Sequence, residues 1–399
     1  MAGRALICGG SIGGLFAAAM LRRAGWEAVV LERSRTELSG RGAGIVTHDL
    51  LNGLIRAAGA ATDDLGVSVT ERVAFDRTGG RVATLALPQI VTSWDRVHSA
   101  LRALVPDGAY RLGQSVTGSR QTAGGVALAL DGGQAMEADL VVGADGFRSA
   151  VRGQMHPEVQ PRYAGYVVWR ALAHEADLPV AVRDAVFDPF GFYLPHGTQI
   201  IGYPIAGPGN DLRPGHRRYN FVWYAPVAEA DLADMLTDDS GQRHEITIPP
   251  PLVRAEVLDR MQTFARAHLS APFLEILARS ERPFFTPIYD HLSPSFADGR
   301  VALAGDAACV ARPHVGMGVT KAAGDAEALA RHLAIGPVTE ALARYSAERV
   351  AAARIAHDTG QRLGRYIFAG SPGDNPDGRT NPNLAAIMAE TAVVPAGLT

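Results

Sequence analysis

Two glycine-bearing segments almost three hundred residues apart carry the residue types whose spacing implies chemistry. The first is Gly9-Gly-Ser-Ile-Gly-Gly14, entered from the apolar run Ala5-Leu-Ile-Cys8 and left through the Ala/Leu-rich residues 15–24. A buried strand that turns through glycines into a helix presents unpaired N–H groups and a positive dipole end to a pyrophosphate. Gly9 permits the tight turn, and Gly14 lets the helix approach the strand. Ser11 stands where the pattern has its middle glycine; it is small enough for close backbone approach and can hydrogen-bond a phosphate. A second apolar run, residues 28–31, ends at Glu32, where a carboxylate accepts ribose hydroxyls and disfavours a 2′-phosphate. The second segment is Gly299-Arg-Val-Ala-Leu-Ala-Gly-Asp306, a short strand delivering another carboxylate. The first segment alone implies an adenine dinucleotide, with a glycine-rich turn of an ordinary α/β protein as the alternative. The pair, in this order, implies FAD.

These residues must be positioned by a chain of 399 residues, long for a single hydrophobic core, so two intertwined or sequential domains are expected. A formal charge of −3 with acids and bases interspersed shows neither a basic nucleic-acid surface nor a polybasic membrane patch. No run is long enough to span a bilayer, and the apolar N-terminus reads as strand–turn–helix, not as a signal peptide. Cys8 and Cys309, each in an apolar context, exclude a disulfide framework and fit a reducing cytoplasm. The histidines do not cluster at metal-ligand spacing, so no metal site is indicated.

Residues 4–33 read as a first β-α-β unit, residues 50–61 and 95–104 as helices, and Thr78-Gly-Gly80 as a hairpin turn. From Tyr163 the character changes. Tyr166-Val-Val-Trp-Arg170, Gly191-Phe-Tyr-Leu194, Gln199-Ile-Ile-Gly-Tyr-Pro204 and Tyr219-Asn-Phe-Val-Trp-Tyr224 follow one another without helices, which indicates an antiparallel sheet. Residues 319–333 and 342–368 read as helical, and 371–399 as a surface tail. The expected fold is therefore α/β (α+β). A Rossmann-like FAD-binding domain is expected from 1–70, 95–160 and 291–370. An inserted antiparallel-sheet substrate domain is expected from 71–94 and 161–290, with a C-terminal helical segment at the end.

Three motifs in this order resemble the class A flavoprotein aromatic hydroxylases, the para-hydroxybenzoate hydroxylase type. Gly9–Gly14 with Glu32 is similar to that family's pyrophosphate and ribose site. Asp139-Leu-Val-Val-Gly-Ala-Asp-Gly-Phe-Arg-Ser149 is similar to its Asp-Gly motif, which implies that Asp145 organises the pyrophosphate side. Gly305-Asp306 is similar to the segment whose carboxylate holds the ribityl hydroxyls. Pro313 and Gly316-Met-Gly318 are similar to the loop whose backbone N–H groups stabilise charge on the reduced ring. The chain departs from the family in having Cys309 where His is frequent and Met317 where Gln is frequent. Ile12, Arg33, Arg41 and Val116 complete the FAD contacts expected. Ala311-Arg-Pro-His-Val-Gly316, Thr237-Asp-Asp-Ser-Gly-Gln-Arg-His244 with Ile248-Pro-Pro250, and Thr92-Ser-Trp-Asp95 resemble the dihydroxypyridine hydroxylases within it.

The resemblance implies hydroxylation of a small phenol or hydroxylated N-heteroaromatic through a flavin C4a-hydroperoxide. O2 and transiently docked NADH or NADPH would be consumed by a cytoplasmic homodimer. A flavin dehydrogenase or oxidase without oxygen transfer, a salicylate-type decarboxylating hydroxylase and a non-catalytic flavoprotein remain as alternatives. His314 is the candidate base, beside the expected ring loop; its other reading is a loop histidine satisfied by backbone groups. Tyr193, Tyr203, Tyr224, His196 and Pro313 are the candidate substrate contacts. Each aromatic is equally readable as core, and His196 as a turn residue, because sheet alternation leaves the faces unassigned.

Overall fold

The protein is described from a computed structural model over residues 3–38, 44–368 and 383–398. The strand Arg4–Cys8 lies inside a six-stranded sheet. Its neighbours are Leu140–Gly143 and Glu27–Glu32, flanked in turn by Val301–Leu303 and Tyr110–Leu112, with Ala297–Asp298 at one edge. All pairings are parallel except that of the edge strand Ala297–Asp298. Parallel strands covered on both faces read as continuous apolar runs, and Leu6, Ile7, Val141 and Val142 are fully buried. Helices Ile12–Arg23 and Gly318–Leu333 share this core with a small antiparallel sheet, Val116–Gln121, Val126–Leu130 and Ala135–Ala138.

A nine-stranded sheet forms the second layer system. Its centre is Arg162–His174, Arg218–Pro226, Gln199–Ile205 and Phe190–Tyr193, with Phe284–Leu292 and Cys309–Val310 at one end. The other end is the long hairpin Val67–Phe75 and Arg81–Ser93, followed by Gly44–Val46. The sheet is antiparallel except where Phe190–Tyr193 runs parallel to Val67–Phe75. Both Gly44–Val46 and the start of the hairpin lie within the span expected to serve the FAD domain. One face, with Trp169, Tyr193, Tyr219 and Trp223, packs under helices Val180–Val186, Ala255–His268 and Ala271–Ala278. The other face carries Tyr166, Val168, Tyr203, Val222 and Tyr224. Among the described residues no helix is long and apolar enough to cross a membrane.

The expected surface tail is corrected over its described part. Leu384–Glu390 is a helix, and Ile387, Met388 and Ala392 are buried against the second face of the large sheet. The fully buried Arg72 explains why. Its Nη1 donates to the carbonyls of Met388 and Thr391, both at 2.6 Å, and its Nη2 to Gln89 Oε1 at 2.5 Å. The Ala392 amide in turn donates to the His314 carbonyl at 2.9 Å, so this segment straps the large sheet to the 313–318 loop.

Candidate active site

The site begins where Arg4–Cys8 ends. Gly9 takes φ +103°, and a methyl group on Gly14 would collide with the Gly9 carbonyl oxygen, so both positions demand glycine. Glu32, nearly buried, accepts from the amides of Gly10 and Ser34, each at 2.8 Å. Those bonds fix the carboxylate beside the turn and leave lone pairs for ribose hydroxyls. Asp145 Oδ2 accepts from the Ala150 amide at 2.7 Å and the Val151 amide at 3.3 Å, while its buried Oδ1 has no partner among the described residues. Burial pushes this carboxyl up, against the hydrogen bonds of Ser149 and the backbone.

The second carboxylate is held by a buried charged cluster. Gly305 sits at φ +63°; its amide donates to Asp325 Oδ2 at 2.9 Å and its carbonyl accepts from Lys321 Nζ at 2.7 Å. Arg349 Nε donates to Asp325 Oδ1 at 2.8 Å, and Lys321 and Asp325 are themselves buried. Clamped on both sides, the turn holds Asp306 with its side chain exposed and, among the described residues, without a hydrogen-bond partner. The protein packed around the turn raises this carboxyl, opposed by the Lys321 charge.

A cavity of about 680 Å³ is lined by Gly9, Ser11, Glu32, Arg33, Val116, Asp145 and Pro313 of the expected set. Its far end is walled by Val168, Arg170, Thr286 and Ile288 of the large sheet. This is the size of a small-molecule site, and its length runs from the dinucleotide turn to the sheet. Ile12, Gly14, Gly305, Asp306, Gly316, Met317 and Gly318 do not line it. Gly316 (φ +65°) and Met317 lead into the helix Gly318–Leu333, and the Met317 side chain packs away with Val315 and Ala356. Only backbone N–H groups are thus offered at that helix start. Arg41 lies outside the described residues. A buried Asp145 oxygen without a partner among the described residues, an exposed Asp306 carboxylate, and a glycine cradle that a methyl would block fit the residues to FAD.

The substrate-side expectations fare unevenly. Tyr203 and Tyr224 lie on the sheet face that turns toward the cavity, although neither lines it. Tyr193 lies on the opposite face, under the helices, and burial raises its phenol with Arg77 and Asp76 nearby; the expectation of a pocket residue is corrected. His196 sits in the turn between Phe190–Tyr193 and Gln199–Ile205, away from the cavity lining.

His314 is also corrected. It is 1% exposed, its Nε2 is 2.9 Å from the Tyr166 hydroxyl, and its ring lies 4.1 Å from the Tyr224 ring centroid. Burial first, and the Arg312 charge second, lower its pKa to about 3, so the imidazole is neutral at pH 7 and is not poised as a base. The 313–315 turn is too tightly packed to present it. Arg312, which bonds Asp290 at 2.6 Å, and the strap residue Ala392 hold it from either side.

Sequence reading missed Arg152, Lys321, Asp325, Arg349, Arg170 and Arg72. Arg152 is buried and donates to the Phe147 carbonyl at 2.7 Å and the Ala307 carbonyl at 3.3 Å, tying the Asp-Gly motif to the Asp306 turn. One signal was available: Lys321 is the chain's single lysine, all other long basic side chains being arginine. A compact ammonium fits a buried carbonyl where a planar guanidinium does not.

The fold and this cofactor constellation define the FAD-dependent aromatic monooxygenases, and the chain belongs to that family. Residues 163–290 match the FAD binding domain-like family and residues 275–359 the FAD binding domain family. The chain is 34% identical over 329 residues to the 2,6-dihydroxypyridine 3-monooxygenase of Paenarthrobacter nicotinovorans, covering 82% of each. It is 31% identical over 358 residues to the Aurachin C monooxygenase/isomerase of Stigmatella aurantiaca, covering 86% of this chain and 84% of that one. The solved structure of 2,6-dihydroxypyridine-3-hydroxylase from Arthrobacter nicotinovorans matches with a TM-score of 0.87 at 30% identity, over 96% of this chain and 98% of that one.

Proposed function

We propose that this enzyme inserts one oxygen atom of O2 into a small hydroxylated ring, a dihydroxypyridine-like N-heteroaromatic or a phenol. The supporting observation is the single cavity that joins the dinucleotide turn at Gly9 to the sheet wall at Val168 and Arg170, past Pro313. FAD reduced by NADH or NADPH supplies the activation of O2. In this reading Glu32 holds the adenosine ribose, Asp306 the ribityl chain, and Ser11 and Asp145 the pyrophosphate side. Backbone N–H groups at Gly316–Gly318 favour negative charge on the ring. The sheet wall orients the substrate and excludes water, which limits peroxide release. His314 supports this wall as a neutral positioning residue through Tyr166 and Tyr224. The nicotinamide cofactor docks transiently, because one dinucleotide fingerprint serves FAD. A cytoplasmic homodimer belongs to the same reading; the two buried free cysteines support the reducing compartment, and sedimentation tests the dimer.

The test is turnover with 2,6-dihydroxypyridine and a panel of hydroxylated pyridines and benzoates under 18O2. Ring-stimulated NADH or NADPH oxidation with the label in the product is expected. Stimulated oxidation that yields only peroxide or unlabelled product would favour the oxidase alternative.

A further inference from the structure

The buried Arg72 has partners that belong to a distant part of the chain. It lies on the strand Val67–Phe75, paired with Phe190 of the neighbouring strand, and is fully buried. Burial lowers its pKa only to about 10, so it keeps its charge at pH 7. Among the described residues no carboxylate answers that charge. The rings of Phe190 and Phe192 lie 5.0 and 5.8 Å from the guanidinium carbon, and the hydrogen bonds go to Gln89 and to carbonyls of the C-terminal segment. A buried charge without an anion is costly unless its hydrogen bonds are made, so the sheet and the segment hold each other.

The segment passes this hold on at one residue. The Ala392 carbonyl accepts from Gln89 Nε2 at 3.1 Å and from Arg72 Nη2 at 3.5 Å, while its amide donates to the His314 carbonyl at 2.9 Å. Ala392 takes φ +52°, a left-handed backbone that a residue with a side chain adopts when its surroundings impose it. It also abuts Gly316: a methyl group there would stand 2.6 Å from the Ala392 Cα. Further on, Val394 and Leu398 pack on Val315, Met317 and Ala356. The turn Pro313–Gly318 thus takes its shape against residues 392–398, and Arg72 pins the start of that stretch.

We propose that Arg72 is a positioning residue for the flavin-ring loop: through the C-terminal strap it fixes where the backbone N–H groups of Gly316–Gly318 point. This rests on the reading that the loop serves the flavin ring, and it adds the element that sets the loop. Arg72 does not line the cavity, so its effect travels through the two hydrogen-bonding groups of Ala392. Fixed N–H groups favour the ring most when it carries negative charge, and a turn free to shift loses that preference first.

The experiment compares the full-length, FAD-loaded parent with Arg72→Met, Arg72→Lys, Ala392→Pro and the double variant Arg72→Met/Ala392→Pro. Methionine keeps an unbranched stem without the charge; proline removes the amide that reaches His314 and cannot take a positive φ. Hydrogen exchange is followed over residues 311–318 and, as a control, over the core strand Leu140–Gly143. The flavin midpoint potential and the product-to-peroxide ratio are measured alongside. Arg72→Met should speed exchange at 311–318 and leave 140–143 protected. It should weaken reduced FAD relative to oxidised FAD by about 2–30-fold, the range of a change made along a coupled network. A tenfold difference reads as a fall of about 30 mV in the two-electron potential. More turnover should end as peroxide. Arg72→Lys should recover part of the loss, and the double variant should be no worse than the larger single, because both cut one connection.

Parental exchange at 311–318 with a parental potential in Arg72→Met overturns the proposal. Equal loosening of 311–318 and 140–143 makes Arg72 an ordinary core residue and also overturns it, as do additive effects in the double variant. Should Arg72→Met fail to fold, Ala392→Pro decides by itself: unchanged exchange and potential there overturn the strap. A strap-dependent potential without label from 18O2 in any product upholds the positioning role and removes the hydroxylase reading. Labelled product with a strap-independent potential does the reverse.

Discussion

The six-stranded sheet and the nine-stranded sheet obtain their functional residues by different means. Around the first, each group sits at the end of a strand in a turn whose backbone dictates residue type: Gly9 and Gly14 by close approach, Glu32 and Asp145 by local amides. Around the second, the wall residues Val168 and Arg170 and the phenols Tyr203 and Tyr224 buried on the same face come from different strands, and only the ladder register brings them together. The proposed cofactor machinery is thus written locally and the proposed substrate wall non-locally, which lets one change while the other stays.

Substitutions can break or sharpen this contrast. The largest effect is expected at Asp306, the open carboxylate of the local machinery. Asp306→Ala should purify folded but largely FAD-depleted, with affinity lowered by about 100-fold or more for the loss of charge-assisted hydrogen bonds. Absorbance ratios and FAD titration measure it; full yellow colour at parental affinity would break the assignment.

Next comes the clamp beneath that turn. Lys321→Met removes the 3.9 Å ion pair of Lys321 with Asp325 and leaves Asp325 paired with Arg349 alone, so a loss near the low end of the about 3–5 kcal/mol typical of a broken buried pair is expected in urea unfolding. FAD should bind more weakly as well, and Lys321→Arg should not restore either property. A loss no larger than the about 0–1 kcal/mol of an exposed pair would show that the clamp does not hold the turn.

A smaller effect separates a neutral positioning imidazole from a base. His314 and His291 both have folded pKa values lowered to about 3 by burial, while an unfolded chain protonates them near their ordinary value. The unfolded state then binds more protons, so stability is complete above that ordinary value and is lost as pH falls toward 3. Each imidazole contributes a slope of up to about 1.4 kcal/mol per pH unit in that window. Unfolding of parent and His314→Gln at pH 7 and pH 5 should show a shallower pH dependence in the variant. The variant's kcat should follow the parental pH profile between pH 6 and 9, and a lost ionisation there would restore the role of base.

The smallest effect is expected from Tyr193→Phe. Because this phenol faces the helical layer, kcat and KM should stay within about twofold of the parent, as for substitutions that touch no ligand contact. A KM change as large as that of Tyr224→Phe would mean that the sheet faces have been assigned the wrong way round.

The aromatic runs were legible as strands but not as faces. Tyr193 and Tyr203 occur in similar short segments, yet parity along two different strands sends one under the helices and the other toward the cavity. His314 was legible as a neighbour of the ring loop, but not as buried, because its burial comes from Tyr166, Tyr224 and a C-terminal strap. That strap, rich in small residues, reads as a tail until Arg72 is seen to hold it. Lys321 could have been found, being the lone lysine just after the Gly316-Met-Gly318 loop.

By itself the sequence determined the cofactor, the first β-α-β unit and the carboxylates proposed to serve the cofactor. Each depends on steric and hydrogen-bond demands met within a turn of a few residues. Tertiary structure alone decided which sheet face meets the cavity, that His314 is neutral, and that Arg170 stands in the cavity wall without a counter-charge among the described residues. Those properties arise from strand register and from burial by distant segments, and a single residue's shift in register would reverse the first of them.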